Sequence, residues 1–236
     1  MTACLAATAA TAENELVIGK FSAGDATGWK TQTISISKPK TVYTLTGLDN
    51  HRFLRANSTK SASGLIYKFD HLPKEFQTLK WSWRIDRINI KADERQKAGE
   101  DFAVRVYAIF PRGVFSSKRA ICYVWANKLP KGSHVRSPFS DSIITVAVDS
   151  GSALAGQWVF HQRNLRDDYR KFFGEEPPAL GAIAIMTDSD NTGETSVGYY
   201  GDISLTRNTA KTSIAREKNE KPKGSVTPAK SSNGKS

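Results

Sequence analysis

From Leu16 to Thr206 the sequence repeats one rhythm, a short run of alternating apolar and polar residues closed by a cluster of turn formers. No other feature limits the fold so tightly. The runs are LVIGKF, QTISI, TVYTL, HRFLRA, GLIYKF, TLKWSWRI, FAVRVYAIF, RAICYVWA, IITVAV, QWVFHQR, GAIAIMT and VGYYGDISL. Between them lie SAGDATG, TGLDN, NSTKSASG, NKLPKGS and DSDNTGE, rich in the residues that accept the backbone angles of tight reversals. Two segments read as helical. They are the charged KADERQKAGED at 91–101 and RDDYRKFFGEEPP, where Asp167 and Asp168 favour a helix start, Gly174 a cap and Pro177 a stop. A dozen short strands with so little helix exclude a doubly wound parallel sheet. They predict an all-β fold, a single antiparallel β-sandwich of jelly-roll type with one short helix near 165–174.

Alternation assigns faces, because successive side chains of a strand point to opposite sides. In TLKWSWRID, Leu79, Trp81, Trp83 and Ile85 share one side. In FAVRVYAIF, Phe102, Val104, Val106, Ala108 and Phe110 point one way, and Arg105 and Tyr107 the other. In RAICYVWA the small set Ala120, Cys122, Val124 and Ala126 suits an interior. The opposite face would then present Arg84, Arg105, Tyr107, Arg119, Tyr123 and Trp125, a candidate ligand-binding surface. Flat rings stack on sugar faces, and guanidinium forks bind acidic substituents. Ordinary cross-strand Arg–aromatic pairing on an outer sheet face explains the same residues without a ligand.

The chain of 236 residues carries a formal charge of +11, which raises the question of nucleic acid. More than half of that excess lies beyond residue 206. Residues 207–236 hold eight Lys/Arg against Glu217 and Glu220, in a text of Lys, Ser, Pro and Gly that reads as a disordered basic tail. A nucleic-acid partner is therefore not expected, and no run is long enough for a transmembrane helix. MTACLAATAATA, ending in Ala10-Thr11-Ala12, reads as a signal-peptide remnant over 1–12. It leaves a β-sandwich domain at 13–206, with periplasmic or other export as the expectation. With Cys4 removed, Cys122 would be the one thiol left, so no internal disulfide is expected.

The apolar strand running into Asp188-x-Asp190-x-Thr192 is how phosphoryl-transfer sites of the haloacid-dehalogenase type begin. That chemistry needs a parallel sheet with crossover helices, and fewer than 20 structured residues follow Asp190. Two readings stay open. One is a polar hairpin in which Asp188 and Asn191 close their own turns and Gly193 takes positive φ. The other is an oxygen cage for a structural calcium formed by Asp188, Asp190, Glu194 and Asp202; no other cofactor is implied. Gly-x-Ser-x-Gly, His-Glu-x-x-His and Cys-x-x-Cys are all missing. Cys122 with His161 is a conceivable nucleophile pair, although a buried thiol fits an apolar strand better. Glu94, Glu100 and Asp101 stand at no spacing that fixes acid–base work, and 91–101 reads better as a solvated charged loop than as a helix.

Taken together, LKWSWRID, ADERQKAGEDFAVRVYAIF, YVWANKLPKG, FGEEPP and AIAIMTDSDNTGETSVGYYGDI resemble the bacterial family of unknown function DUF3047 over most of 16–206. The resemblance implies an exported β-sandwich and assigns no catalytic residue. More loosely, Gly28-Trp29, Leu-x-Trp-x-Trp and the terminal Gly-Asp-Ile-x-Leu are similar to jelly-roll carbohydrate-binding modules. The resulting expectation is a non-catalytic exported module that binds a glycan, such as an acidic polysaccharide, or another cell-envelope polymer on the Arg/aromatic face. A glycoside hydrolase or polysaccharide lyase on the same sandwich is the alternative, as is a structural or protein-interaction domain.

Overall fold

The computed structural model describes residues 14–47, 51–112 and 116–207; the expectations for 1–12 and for the tail beyond Arg207 lie outside them. Among the described residues two sheets pack face to face. The first contains β1 (Glu15–Gly19), β3 (Val42–Thr46), β4 (Phe53–Thr59), β6 (Phe76–Ile85), β11 (Val159–Asn164) and β13 (Thr195–Arg207). Its order is β11-β6-β13-β4-β3, with β1 also on β13. The second contains β2 (Trp29–Thr33), β5 (Ala62–Lys68), β7 (Arg105–Arg112), β8 (Ser116–Ala126), β9 (His134–Ser137), β10 (Ser140–Ser150) and β12 (Ala182–Asp188). It runs β2-β5-β12-β7-β8-β10-β9. The architecture is the expected all-β sandwich of jelly-roll type. Two details differ from the expectation: β9 was not foreseen, and β8 and β10 pair in parallel.

The single α-helix among the described residues, α1, spans Leu165–Phe173. Asn164 caps it by accepting the N–H of Arg166 at 3.0 Å and of Asp167 at 3.2 Å, and Gly174 ends it at φ 72°. An N-cap of this kind stabilises a helix by about 1 kcal/mol. The segment 91–101 is a loop and not an α-helix, but Glu94, Glu100 and Asp101 in it are buried, not solvated. It holds one short 3-10 turn at Lys97–Gly99, and its charged residues serve as anchors for the loop 86–104. Glu94 accepts the N–H of Lys128 at 3.2 Å and of Leu129 at 2.9 Å, and Ser137 donates its hydroxyl to Glu100 at 2.7 Å.

Leu79, Trp81, Trp83 and Ile85 point into the space between the sheets, as their alternation predicts. Opposite them stand Val106, Ala108, Phe110, Ile121, Tyr123 and Trp125, with the Trp81 and Tyr123 rings 5.2 Å apart. The expected face of β8 is thus inverted. Its large residues fill the core and its small ones, Cys122, Val124 and Ala126, lie on the outer side beneath Phe102 and Leu129. Burying a side chain of this size contributes about 1.5–3 kcal/mol, provided its polar end is satisfied. Here it is satisfied: Tyr123 donates to Asp168 at 2.7 Å and Trp125 to the Gly151 carbonyl at 2.9 Å. Phe102 precedes β7 and joins the outer cluster instead of the core shared by Val104, Val106, Ala108 and Phe110.

Candidate functional site

The outer face of the six-stranded sheet is where rings and guanidinium groups meet in solvent. β13 pairs on both sides, so Arg84, Tyr199 and Arg55 form one transverse row. The Arg84 guanidinium lies 4.9 Å from the centre of the Tyr199 ring. Asp86 holds both partners, accepting Arg84 at 2.8 Å and the Tyr199 hydroxyl at 2.7 Å. Burial and the Asp86 hydrogen bond both raise the Tyr199 phenol above its ordinary range, so it is a neutral ring. Phe53, the first residue of β4, stands 5.4 Å from Tyr199 and 5.7 Å from Trp158. Trp158 enters β11, and Phe160 follows on the same side, 79% exposed. Beside Phe160 a depression of about 490 Å³ is lined by Lys80, Ser82, Gln162 and Asp202.

Beside these rings, which meet tilted or edge-on (Phe53 at 60° to Trp158 and 81° to Tyr199), β13 carries a bulge between Tyr200 and Ile203. Gly201 sits in it, and a Cβ there would collide with Ser82 Oγ and stand 3.5 Å from the Trp158 ring. The result is a stripe of Tyr199, Phe53, Trp158 and Phe160 with Arg84 and exposed Arg55 alongside. Such a stripe can stack flat rings and pair with acidic groups.

Of the six residues expected on one face, Arg84 alone belongs to this stripe. Tyr123 is fully buried and Trp125 is 4% exposed, both between the sheets. Arg119 donates to Glu175 at 2.5 Å and lies 4.6 Å from the centre of the Phe173 ring, helping to hold α1. Arg105 and Tyr107 do lie on an outer face, that of the seven-stranded sheet, yet Arg105 is 2% exposed. Its guanidinium pairs with Asp188 and, at 3.5 Å, with Glu100, and it lies 5.0 Å from the centre of the Phe102 ring. The expected Arg/aromatic face is therefore not assembled from those six residues. Phe53, Trp158, Phe160 and Tyr199 were missed, although QWVFHQR does place Trp158, Phe160 and Gln162 on one side.

The four acidic residues expected around a cation are also separated. Asp188 and Asp190 come together with Asp101, the three carboxylates lying within 4.8 Å of one another. Glu194 instead accepts the Lys91 N–H at 3.1 Å, and Asp202 accepts Ser22 N–H and hydroxyl at 2.7 and 2.6 Å. Donors already occupy the trio. Asp101 accepts the N–H of Asn191 at 3.2 Å and of Thr192 at 2.5 Å, while Asp188 accepts Phe102 N–H at 3.0 Å and Arg105. Asp190 faces Lys38 at 3.7 Å. Burial raises the Asp188 carboxyl above the usual range against the pull of Arg105, and Asp101 adds to the rise. Asp101 thus closes the hairpin from a neighbouring loop, the part expected of Asp188 and Asn191, and Gly193 has φ 71° as expected.

His161 points inward. Its Nε2 lies 2.6 Å from Asp149, which also accepts Trp83 Nε1 at 2.8 Å and Lys131 at 3.1 Å. Cys122 lies on the far side of the seven-stranded sheet, its thiol pushed up to about 12 by burial. The two do not form a nucleophile pair. Glu94, Glu100 and Asp101 spend their oxygens on the loop contacts already described.

The model of the family described as a protein of unknown function (DUF3047) matches residues 27–204. No curated protein matches the sequence. Among solved structures, a family 11 carbohydrate-binding module from Clostridium thermocellum in complex with a β-1,3-1,4-mixed-linked tetrasaccharide is 9% identical. It aligns over 82% of this chain and 96% of its own, with a TM-score of 0.42. The family 11 module of the cellulosomal cellulase Lic26A-Cel5E of the same organism is 8% identical over 82% and 95%, at 0.44. A single-residue mutant of the family 29 carbohydrate-binding module CBM29-2 is 11% identical over 82% and 90%, at 0.38. The likeness to these carbohydrate-binding modules is one of architecture.

Proposed function

We propose that this chain, which belongs to the DUF3047 family, is a binding module that holds an acidic glycan against the outer face of its six-stranded sheet. The observation that carries this reading is the stripe Tyr199–Phe53–Trp158–Phe160, half-buried at Tyr199 and Phe53 and exposed at Trp158 and Phe160, beside Arg84 and Arg55. Exposed large rings in a row are costly in water unless something covers them, and a sugar face does so while leaving its hydroxyls solvated. Arg84 and Arg55 would pair with carboxylate or sulfate substituents. Export to the periplasm or beyond belongs to the same reading, supported by the alanine-rich residues 1–12. Secretion of a full-length fusion tests that part.

The binding test compares immobilised acidic and neutral polysaccharides. Retention should favour the acidic ones and weaken with salt, since exposed charge contacts are screened. Trp158→Ala and Phe160→Ala should each lower affinity about tenfold, the scale of one stacked ring. Arg84→Gln with Arg55→Gln should remove the acidic preference before binding itself. Unchanged retention in the doubly substituted Trp158→Ala/Phe160→Ala protein would reject the face. Loss of self-association in that protein, without any glycan retention in the parent, would make the stripe a protein interface.

A further inference from the structure

The opposite side of the molecule carries a second concavity of different chemistry. On the outer face of the seven-stranded sheet, Lys68, Ala182, Ile109 and Ala120 form one transverse row. Ile66, Ala184 and Tyr107 form the next, and Gly64, Met186 and Arg105 the third. Gly64 and the alanines leave a low floor between taller neighbours. At Gly64 the backbone is so close that a Cβ would stand 2.7 Å from the Ile185 carbonyl oxygen. The groove encloses about 630 Å³, within the range of small-molecule sites, which are mostly apolar with a few placed polar groups.

Its two ends differ. At the third row the loop 86–104 closes over the sheet, with Phe102 stacked on Arg105. At the first row it opens beside exposed Lys68 and Lys118, and no acidic residue lines it among the described residues. Ile34, 59% exposed, forms a free apolar edge on the β2 side. From Lys68 to Gly64 is roughly 13 Å at the usual rise per strand residue. An apolar trough of that length, closed at one end and cationic at the other, matches a single aliphatic chain with an acidic head. Between the lysines a sugar would find few hydrogen-bond partners, and the lining offers it two rings, Phe69 and Tyr107.

We propose that this groove is a second ligand site that takes a single-chain anionic amphiphile of medium length. Its aliphatic chain lies along Ala182, Ala184 and Gly64, and its carboxylate pairs with Lys68 and Lys118. The site is independent of the aromatic stripe on the other sheet.

Calorimetric titration of the full chain with decanoate, below its micelle concentration, tests this, with 1-decanol as the neutral control. Decanoate should bind with one-to-one stoichiometry and at least tenfold more tightly than decanol. Lys68→Glu combined with Lys118→Glu, both exposed, should weaken decanoate tenfold or more. Ala184→Phe should fill the floor and abolish binding, and Trp158→Ala should leave it unchanged. Should Ala184→Phe fail to fold, the lysine pair decides. Equal binding of decanol, indifference to the lysine substitutions, or association only with anionic lipid vesicles would overturn the proposal.

Discussion

The Trp158 indole lies across Gly201, 3.5 Å from where a Cβ would stand, and Ser82 Oγ is far closer to that point, so the packing beside the indole depends on a residue with no side chain. Gly201→Ala should push Ser82 Oγ aside and leave the indole in ordinary contact. The expected outcome is a stability loss of about 1–3 kcal/mol, as for other overpacked sites. Glycan retention should fall less than in Trp158→Ala, because the indole keeps its place. Thermal melting and affinity measured on the same protein check it; retention lost as fully as in Trp158→Ala would show that the ring depends on Ser82 for its position.

Arg105 and Asp188 are each almost entirely removed from water, at 2% exposure. Removing one partner leaves the other buried and poorly compensated. Asp188→Asn should therefore destabilise by about 3–5 kcal/mol, while Arg105→Met with Asp188→Leu should recover much of that loss. Chemical denaturation of Arg105→Met, Asp188→Leu and the double variant measures the coupling. Additive effects would mean that the pair does not act as a unit.

Asp101 and Asp188 direct their oxygens at N–H groups, and Asp190 faces Lys38, so each carboxylate of the cluster already has a donor or cation beside it. Calcium should leave the melting temperature unchanged. Asp101→Ala, which strips two N–H groups of the hairpin of their acceptor, should cost about 1–3 kcal/mol. A calcium-dependent rise in melting temperature that Asp190→Asn removes would restore the cation cage.

All the strands but β9 were legible because each carries its own alternation and each reversal its own Gly, Pro, Asn or Asp, but their order in the two sheets was not. The helix was legible from Asp167, Asp168 and Gly174 for the same local reason. Faces were not, because a face is decided by what lies above the strand. Cys122, Val124 and Ala126 look like core, and they are buried, but beneath Phe102 and Leu129 of distant loops. His161 and Arg163 look like surface, yet they point inward because Asp149 and Asp168 wait there. That reversal turns Trp158 and Phe160 outward. The charged run 91–101 reads as a helix or a solvated loop until its partners are known, and those partners, Leu129, Ser137 and Thr192, are far away in sequence.

Asp149 joins the two sheets at the β11 edge, and its titration should appear in acid stability. Burial acts to raise its carboxyl, but hydrogen bonds from His161 and Trp83 outweigh it and hold the group below the usual carboxylate range. A carboxyl lowered in the folded state binds fewer protons there than in the unfolded chain. Its stabilisation is present above the unfolded value of about 3.9 and is lost as pH falls through the lower folded value. The parent protein should thus lose stability steeply below about pH 4. Asp149→Asn, which cannot titrate, should be less stable at pH 7 and show a shallower decline on acidification. Denaturation midpoints from pH 2 to 7 for both proteins make the comparison. Parallel acid limbs would assign the acid sensitivity to other carboxylates and leave Asp149 as a hydrogen-bond acceptor alone.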